Sequence, residues 1–488
     1  MPALHKGRFT PNNSYDVAVV GGGIHGLSMA LEACKRGLSV ILIQGNDLAS
    51  GASGIQRGLL GGGFQSLSQL NLTAVKANFS ALKKWHENHA NSAAPVCANL
   101  IANHTLRSAK LVKTGLAIYH RLAGGSADLC RNHSRETFST PYLAYTLRPA
   151  RLILDIATDA RALGADIFPY TRVNAAIRQK NCWQLTVNSS LGSNTNSVNV
   201  NAKMLINCCG WLANTFLTDV LGVVSRAKAH ARKAGLIYVS GPLDAPPLPL
   251  TLQANNKQFI SMLAVTPQHY VIGPFSDEEL GGSKQNAVAA LQTLLSDQLG
   301  EQFSQWVKTL HIDEIKWINY AQVSDPSGGA HRGDFLQDSI LDLNNPKGGA
   351  PLLNVFGIDI AKHANLARQG FNILAPFSRE CSSHVVPLTN KNTTPPTAFN
   401  NPIIKRWQTT YAQGVNRLLK DANLTCNSNV EDFGVHFGED LYQCEVDYLI
   451  RYEWAITAED ILWRRGDWGP WFPESGKQML ANYLAQLT

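Results

Sequence analysis

A strand–turn–helix–strand unit at residues 16–43 constrains this chain more than any other part of its sequence. Residues 16–20 (DVAVV) are a short β-branched run of the kind found in buried parallel strands. Residues 21–26 (GGGIHG) follow at once and match G-x-G-x-x-G, and a helical pattern then leads to a second apolar run at 38–43 (LSVILI). This order of elements is the setting in which the glycine pattern binds a dinucleotide, and it disfavours the alternative of an ordinary glycine turn.

Each glycine of the loop has its own physical role in that interpretation. Gly21 permits a tight turn, Gly23 lets a pyrophosphate approach the backbone, and Gly26 lets the helix pack closely on the strand. Ile24 and His25 complete the loop at the start of the helix. Its exposed N–H groups and the helix dipole would together hold the phosphates.

Gln44 stands where the second strand of such a unit normally carries Asp or Glu for the ribose hydroxyls. Its amide oxygen can accept a hydrogen bond, but without the help of a negative charge. We therefore expect adenosine binding to be retained and to be somewhat weaker than with a carboxylate at this position.

The composition indicates a folded protein of several domains. Of 488 residues, 44% are hydrophobic and 16% are charged, which excludes a disordered chain. The net charge of +7 permits an anionic ligand or a membrane surface, and it gives no reason to expect nucleic acid as a partner. The nine cysteines include no CxxC pair, so we expect free thiols in a cytoplasmic protein without a metal site. No secretory signal or transmembrane segment is visible.

Residues 47–53 (DLASGAS) and the glycines at 61–63 resemble the FAD-dependent glycerol-3-phosphate dehydrogenases of the D-amino-acid-oxidase superfamily. That family has a DLASGTSS segment and a Gly-Gly loop in these places. Further landmarks in family order are RPARL at 148–152, TRV at 171–173, LINCCGW at 205–211, IGPFSD at 272–277, PLLNVFG at 351–357, and EVDYL, EWA and TAEDILWRR between 445 and 465. The resemblance therefore covers nearly the whole chain.

The resemblance implies FAD as the cofactor and hydride transfer from a substrate carbinol carbon to flavin N5. In the family the substrate is sn-glycerol 3-phosphate, and electrons pass to a quinone or another acceptor. Beyond the glycine loop and Gln44, the residues implied at the cofactor are Ala52, Ser53, Arg57, Val173, Gly210, Gly357, Asp359, Ile360 and Ala361. For Arg57, the alternatives are a charge at the surface or beside the pyrophosphate and a contact with the substrate. The family also implies a location on the inner face of the cytoplasmic membrane. Whether the protein forms a homo-oligomer is left open.

The implied fold is an α/β protein with a Rossmann-like FAD-binding domain, an antiparallel-sheet substrate domain and a C-terminal helical domain. The expected boundaries are 1–75, 145–225 and 345–385 for the discontinuous FAD-binding domain, 76–144 and 226–344 for the substrate domain, and 400–488 for the helical domain. For the tryptophan-rich cluster at 468–472, core packing is preferred over exposure at a membrane or protein surface.

The substrate side departs from the family pattern. Gln65 and Ser66 stand in place of the family's Arg and Tyr after the Gly-Gly loop. Leu236, Ser324 and Asp359 stand where the family has His, Arg and Lys. Because a phosphate dianion is normally held by Arg and Lys, we expect this chain to bind and oxidise glycerol 3-phosphate poorly.

His331, Arg332 and His363 are the candidates for the missing catalytic and anion-binding groups. Arg332 with His331 would anchor an anion, and a loop ion pair with Asp334 is the alternative. His363 begins a helix that in the superfamily points at the flavin, and a buried packing role is its alternative. Two functions stay open beside the family activity. One is oxidation of a less anionic hydroxy compound or an amine, and the other is FAD binding without turnover.

Overall fold

The computed structural model describes residues 10–54, 57–63, 67, 71–101, 109–124, 130, 139–191, 197–225, 227–243, 246, 248–253, 259–281, 284–299, 304–324, 339–346, 348–357, 360–378 and 401–487. Within these ranges the chain forms two eight-stranded sheets, a short two-stranded sheet and a group of C-terminal helices. The α/β fold with a second sheet and a helical C-terminal domain is therefore confirmed.

The strands are β1 (Ser14–Val20), β2 (Val40–Ile43), β3 (Gly58–Gly61), β4 (Ala93–Ile101), β5 (Thr140–Leu147), β6 (Asp166–Phe168), β7 (Thr171–Arg178), β8 (Trp183–Ser189), β9 (Val198–Asn207), β10 (Lys228–Ser240), β11 (Leu250–Gln253), β12 (Phe259–Thr266), β13 (His269–Ser276), β14 (His311–Ser324), β15 (Ile340–Asn344), β16 (Leu352–Phe356), β17 (His436–Gly438) and β18 (Leu441–Tyr442). The α-helices are α1 (Ile24–Lys35), α2 (Leu72–Asn88), α3 (Ala109–Ala123), α4 (Pro149–Ala162), α5 (Ala213–Thr215), α6 (Asp277–Leu280), α7 (Lys284–Leu299), α8 (Ser304–Thr309), α9 (His363–Leu374), α10 (Pro402–Tyr411), α11 (Gly414–Asp421), α12 (Gln443–Glu453) and α13 (Glu474–Leu487). Phe216–Val220 and Asp460–Arg465 are π-helical turns.

The first sheet is Rossmann-like. Its strands run in the order β15-β16-β9-β1-β2-β6, and neighbours from β16 to β6 are parallel. The β7–β8 hairpin joins antiparallel to β9 and covers one face, while α1, α4 and α9 pack on the other. Because both faces are covered, every residue of β2 is buried, as its continuous apolar run predicts.

A glycine ends α1 and directs the chain into β2. Gly37 has φ +82°, a left-handed conformation that most residues avoid. Its N–H donates to the Cys34 carbonyl at 3.0 Å, and the Leu38 N–H donates to the Ala33 carbonyl at 3.1 Å. These two bonds satisfy the last carbonyls of the helix, so the strand–turn–helix–strand unit is closed within residues 14–43.

The second sheet is antiparallel except for one parallel pair, β11 with β4. Its order is β14-β10-β13-β12-β11-β4-β5-β3. The helices α7 and α8 pack on one face through Leu291, Leu295 and Trp306. This sheet includes β3, which lies inside the segment 1–75 that was predicted for the FAD-binding domain. β3 joins the second sheet because its backbone groups hydrogen-bond to those of β5, with Gly58 opposite Leu147 and Gly61 opposite Ala144.

The C-terminal helices α10–α13 form their own core around Trp407, Val446 and Leu449. This domain also packs on the second sheet through tryptophans. The rings of Trp463 and Trp471 lie 5.3 Å and 5.6 Å from that of Tyr238, in edge-to-face arrangements. Packing between domains therefore explains these two tryptophans.

Candidate functional site

The glycine loop between β1 and α1 is shaped by close backbone approaches. Gly21 has φ +115°, and a Cβ there would lie 2.2 Å from the Cys208 carbonyl oxygen. A Cβ on Gly26 would lie 1.8 Å from the Gly21 carbonyl oxygen. At Gly23, by contrast, a Cβ would meet only the Ser53 hydroxyl, at 3.4 Å. The loop therefore requires glycine at its two ends and leaves space beside its centre, where the sequence places a pyrophosphate.

Ser53 stands beside the N-terminus of α1. Its hydroxyl accepts a hydrogen bond of 3.3 Å from the Ile24 N–H, one of the helix N–H groups without a partner in the helix. Ala52 precedes it in a single turn of 3-10 helix, and both residues are half-buried. The following helix residue, His25, is buried and lies 3.4 Å from the Ser339 hydroxyl through Nε2.

Gln44 connects the end of β2 to the glycine loop. Its Oε1 accepts a 2.7 Å bond from the Gly22 N–H, and its Nε2 donates to the Ser50 hydroxyl at 3.1 Å and to the Asp47 carbonyl at 3.3 Å. The amide therefore fixes two neighbouring loops. Its predicted contact with an adenosine ribose stays a prediction, and the oxygen would have to share its acceptor capacity with Gly22.

The turn after β9 contains Gly210, which has φ +59° and no atom within 4 Å of an added Cβ. Buried Asn207 holds this turn, because its Oδ1 accepts from the Cys209 N–H at 3.2 Å and its Nδ2 donates to Asn354 Oδ1 at 3.1 Å. Val173 lies in the buried core between the sheet and the β7–β8 hairpin. Its predicted contact with the cofactor stays a prediction.

The turn from β16 to α9 brings a third segment to the same side of the sheet. Gly357 has φ +109°, and a Cβ there would lie 2.7 Å from the Ser339 Cα. Ile360 is half-buried and Ala361 is buried, just before α9 begins. Asp359 lies outside the described residues. The carboxyl ends of β1, β9 and β16 therefore meet, as expected for a ligand site in a parallel sheet.

His363 faces α1 at the start of α9. Its Nδ1 lies 2.8 Å from the Ser28 hydroxyl, and its ring packs edge-on against Trp85 at 6.0 Å. Ser28 donates to the Ile24 carbonyl at 2.7 Å, so it accepts from a protonated Nδ1. Burial lowers the pKa of His363 to about 3, and electrostatic interactions with His89, His25 and Lys35 lower it further. The ring is therefore neutral and a weak base, which favours the packing role.

Arg57 has a partner in the C-terminal domain. Its Nη2 lies 2.7 Å from Asp467 Oδ2, and Arg148 reaches the same oxygen at 3.2 Å. Although burial opposes ionisation, Arg148 and Arg57 hold the pKa of Asp467 below its usual range. The predicted contact of Arg57 with the cofactor stays a prediction, and the structure gives its charge an ion pair elsewhere.

Several candidates of the substrate side lie outside the described residues, namely Gln65, Ser66, His331 and Arg332. Leu236 is described and lies in a small apolar cluster with Tyr238, Leu263 and Val271. It is 5% exposed. The position where the family has a histidine therefore presents only an aliphatic side chain.

Sequence reasoning missed the buried ion pairs that attach the C-terminal domain. Arg151 forms two bonds of 2.9 Å with the carboxylate of Glu453, and their side chains are 4% and 2% exposed. Arg465 donates to Asp47 Oδ1 at 2.9 Å, and neither side chain is more than 1% exposed. The segments that contain these residues resemble family motifs, so the sequence does mark them as important. The spacing of residues within each segment, however, does not show which charges form pairs.

The described part of the chain contains no group of three or more His, Cys, Asp or Glu residues placed to hold a metal ion. Among the titratable groups described above, Arg57, Arg151 and Arg465 form ion pairs between domains, and His363 lies in the packing of α1 and α9. What the site offers is a set of loops at the end of a parallel sheet, with backbone N–H groups and hydroxyls around an open position at Gly23. Such a site suits a phosphate or another anion.

Comparison with known proteins gives the same picture. Residues 16–331 match the family described as DAO, FAD dependent oxidoreductase. A glycerol-3-phosphate dehydrogenase of Pseudomonas aeruginosa is 28% identical, over 96% of this chain and 95% of that protein. A D-erythritol 1-phosphate dehydrogenase of Brucella abortus is 27% identical, over 92% and 93%. The structure of glycerol-3-phosphate dehydrogenase from Bacillus halodurans, complexed with FAD, has the same fold, with a TM-score of 0.63 at 15% identity over 98% of this chain and 95% of that one.

Proposed function

Because this chain belongs to the DAO family of FAD-dependent oxidoreductases, we propose that it oxidises the carbinol carbon of a substrate similar to glycerol 3-phosphate. The observation that carries the proposal is the open position at Gly23, beside the N-terminus of α1. It is supported by the two dehydrogenases named above, which match over 95% and 93% of their length. When bound, FAD supplies the hydride acceptor. The protein supplies binding, orientation and exclusion of water.

The described residues fit FAD. The space at Gly23, the Ile24 N–H and the Ser53 hydroxyl would hold the diphosphate. Gln44 would accept from the adenosine ribose, and the segment before α9, with Ile360 and Ala361, would face the flavin ring. Because none of these side chains is charged, the backbone N–H groups and the dipole of α1 would provide most of the attraction for the phosphates.

A second candidate function is oxidation of a less anionic hydroxy compound or an amine. It is favoured by Leu236, which cannot accept a proton, and by the neutral residues Gln65 and Ser66 at positions where the family has a cation and a phenol. Each missing charge-assisted contact weakens phosphate binding by about 1.5–3 kcal/mol. Glycerol 3-phosphate would then be a poor substrate of an intact flavoprotein.

We expect the purified protein to be yellow and to be bleached under anaerobic conditions by its true substrate. The measurement is flavin absorbance during anaerobic titration with glycerol 3-phosphate, D-erythritol 1-phosphate, glycerol and a simple amino acid. We expect slow or no bleaching by glycerol 3-phosphate, because of the neutral substrate positions.

The outcomes of this titration distinguish the phosphorylated substrate, the less anionic substrate and FAD binding without turnover. Rapid bleaching by micromolar glycerol 3-phosphate would show that the pocket is complete and that the less anionic candidate is wrong. Bleaching by a neutral alcohol or an amine alone would favour the second candidate. A colourless protein that takes up no added FAD would contradict both. FAD uptake without bleaching by a wide panel would indicate binding without turnover.

We also propose that the protein docks on the surface of a membrane, where a quinone is within reach as electron acceptor. None of the helices described is both long and apolar enough to cross a bilayer. The adjacent helices α2 and α3, however, expose the cations Lys76, Lys83, Lys84, Lys110, Lys113 and Arg121. On α3, Leu111 and Ile118 are seven residues apart on one stripe and are 60% and 39% exposed. Cations beside exposed apolar side chains suit an anionic lipid surface.

Reversing two charges on α3 is expected to weaken this docking. Each cation near an anionic surface contributes about 1 kcal/mol, so K110E with K113E should reduce partitioning by at least about 30-fold. The measurement is co-sedimentation with vesicles of phosphatidylglycerol and phosphatidylcholine. K405E with K420E, on exposed positions of α10 and α11, is the matched control. Equal losses in both double variants would show that net charge, and not this surface, causes binding. Light scattering on the same preparations tests whether the protein forms a homo-oligomer.

A further inference from the structure

A small cavity lies where the start of α4 meets the C-terminal domain. Its volume is about 10 Å³, which is room for one water molecule or one monatomic ion. All of its lining residues lie in ranges that the structure describes, and they come from the segments 148–151 and 463–467. Among them, Asp467 alone is acidic, whereas four are arginines: Arg148, Arg151, Arg464 and Arg465. The cavity is therefore surrounded mainly by positive charge.

Three of these arginines have carboxylate partners that are not among the lining residues. Glu453 accepts from Arg151 through two bonds of 2.9 Å. Asp47 accepts from both Arg464 and Arg465. These anions fix the guanidinium groups at the cavity, but they do not themselves line it.

Arg148 shares its carboxylate with another arginine. Its Nη2 lies 3.2 Å from Asp467 Oδ2, and the same oxygen accepts from Arg57 at 2.7 Å. Burial lowers the pKa of Arg148 and, although Asp467 raises it, the charges of Arg57 and Arg151 lower it further. The one carboxylate that lines the cavity thus serves two arginines, which leaves the electrostatic potential inside the cavity positive.

Arg465 adds a buried hydrogen-bond donor to this group. Its side chain is 0% exposed, and its Nε has no hydrogen-bond partner in the described part of the chain. Buried donors are normally satisfied by the protein, by water or by an ion, and buried charges are normally paired. A water molecule in the cavity could accept hydrogen bonds, but only an anion would also offset the positive charge. Phosphate and sulfate are too large for a cavity of about 10 Å³.

We propose that this cavity binds a monatomic anion, and that chloride bound there stabilises the attachment of the C-terminal domain to α4. Chloride would accept hydrogen bonds from guanidinium groups of both segments and reduce the repulsion between them. The proposal does not rest on FAD. A protein that binds no FAD would refute the proposed function and leave the chloride test in force.

The first test is thermal unfolding of the holoenzyme at saturating FAD, followed by circular dichroism. Sodium gluconate at about 100 mM is replaced stepwise by sodium chloride at constant ionic strength. We expect chloride to raise the unfolding temperature by at least about 2 °C, because an anion that binds only the folded state stabilises it by mass action. An equal unfolding temperature in the two salts would overturn the proposal.

Two variants separate the cavity from general effects of salt. Ala150→Val fills the cavity from α4 and leaves every charge in place, whereas Arg148→Gln removes a charge that lines it. Both should lose most of the rise in chloride. Arg451→Gln, which breaks the exposed pair with Asp421, is the control and should keep the rise. The same rise in the wild type and in the variants of the cavity would refute the site, and either variant decides alone if the other does not fold.

The second test locates the anion directly. Crystals of the holoenzyme grown in sodium bromide should show the anomalous signal of bromine inside the cavity, beside the guanidinium groups of Arg148 and Arg151. A water molecule at this position, without anomalous signal, would overturn the proposal.

Discussion

Gly26→Ala yields a folded protein that no longer retains FAD. A Cβ at this position would lie 1.8 Å from the Gly21 carbonyl oxygen and 2.9 Å from its carbonyl carbon, both backbone atoms. The loop or the start of α1 must therefore move, which displaces the N–H groups that face the open position at Gly23. We expect a loss of at least about 3 kcal/mol, or about 100-fold in FAD affinity.

The measurement is the ratio of flavin to protein absorbance after gel filtration, followed by titration of the apoprotein with FAD. Gly51→Ala is the matched control, because Gly51 lies between β2 and β3, close in sequence to Ser53, and has no atom within 4 Å of an added Cβ. Retention of FAD by Gly26→Ala with an affinity close to that of Gly51→Ala would refute the assignment of the loop.

Arg151→Met is expected to cause a large loss of stability. It would leave the Glu453 carboxylate, 2% exposed, without the two bonds that neutralise it. Removing one partner of a buried pair costs about 3–5 kcal/mol, whereas replacing both is nearly neutral. We therefore expect a clearly lower unfolding temperature and early proteolytic release of the C-terminal domain.

Circular dichroism during heating, at saturating FAD, measures the first effect, and limited proteolysis measures the second. Adding Glu453→Gln to Arg151→Met should restore much of the loss. Arg451→Gln breaks the exposed pair with Asp421 instead and should change stability by less than about 1 kcal/mol. An unfolding temperature of Arg151→Met equal to that of Arg451→Gln would contradict the prediction.

The sequence predicts well those features that arise from short-range patterns. The unit at residues 14–43 is recognisable because strand, glycine loop and helix are consecutive, and each has its own periodicity or backbone requirement. The close approaches at Gly21 and Gly26 follow from the same pattern. The two-sheet architecture and FAD as the cofactor come from the family resemblance, and both are confirmed.

The pairing of distant charges is not predictable in the same way. Asp47 and Arg465 are 418 residues apart, and no pattern near either residue indicates the other. Arg57 was assigned by its place in the loop, whereas its partner Asp467 is set by how the C-terminal domain packs. For His363 the sequence indicates the helix start but not the direction of the ring, which depends on the crossing of α1 and α9.

The order of the strands in the first sheet has a consequence for the newly made chain on the ribosome. The central strand β1 pairs with β2 and β9, but the parallel neighbour on the far side of β9 is β16, which begins at Leu352. At roughly 5–20 residues per second, β16 emerges on the order of 7–30 s after β9 is complete. During that interval the edge of β9 is uncovered, and helix α9 cannot yet shield α1. Nascent chains should therefore need chaperone protection until β16 and α9 have emerged from the ribosome.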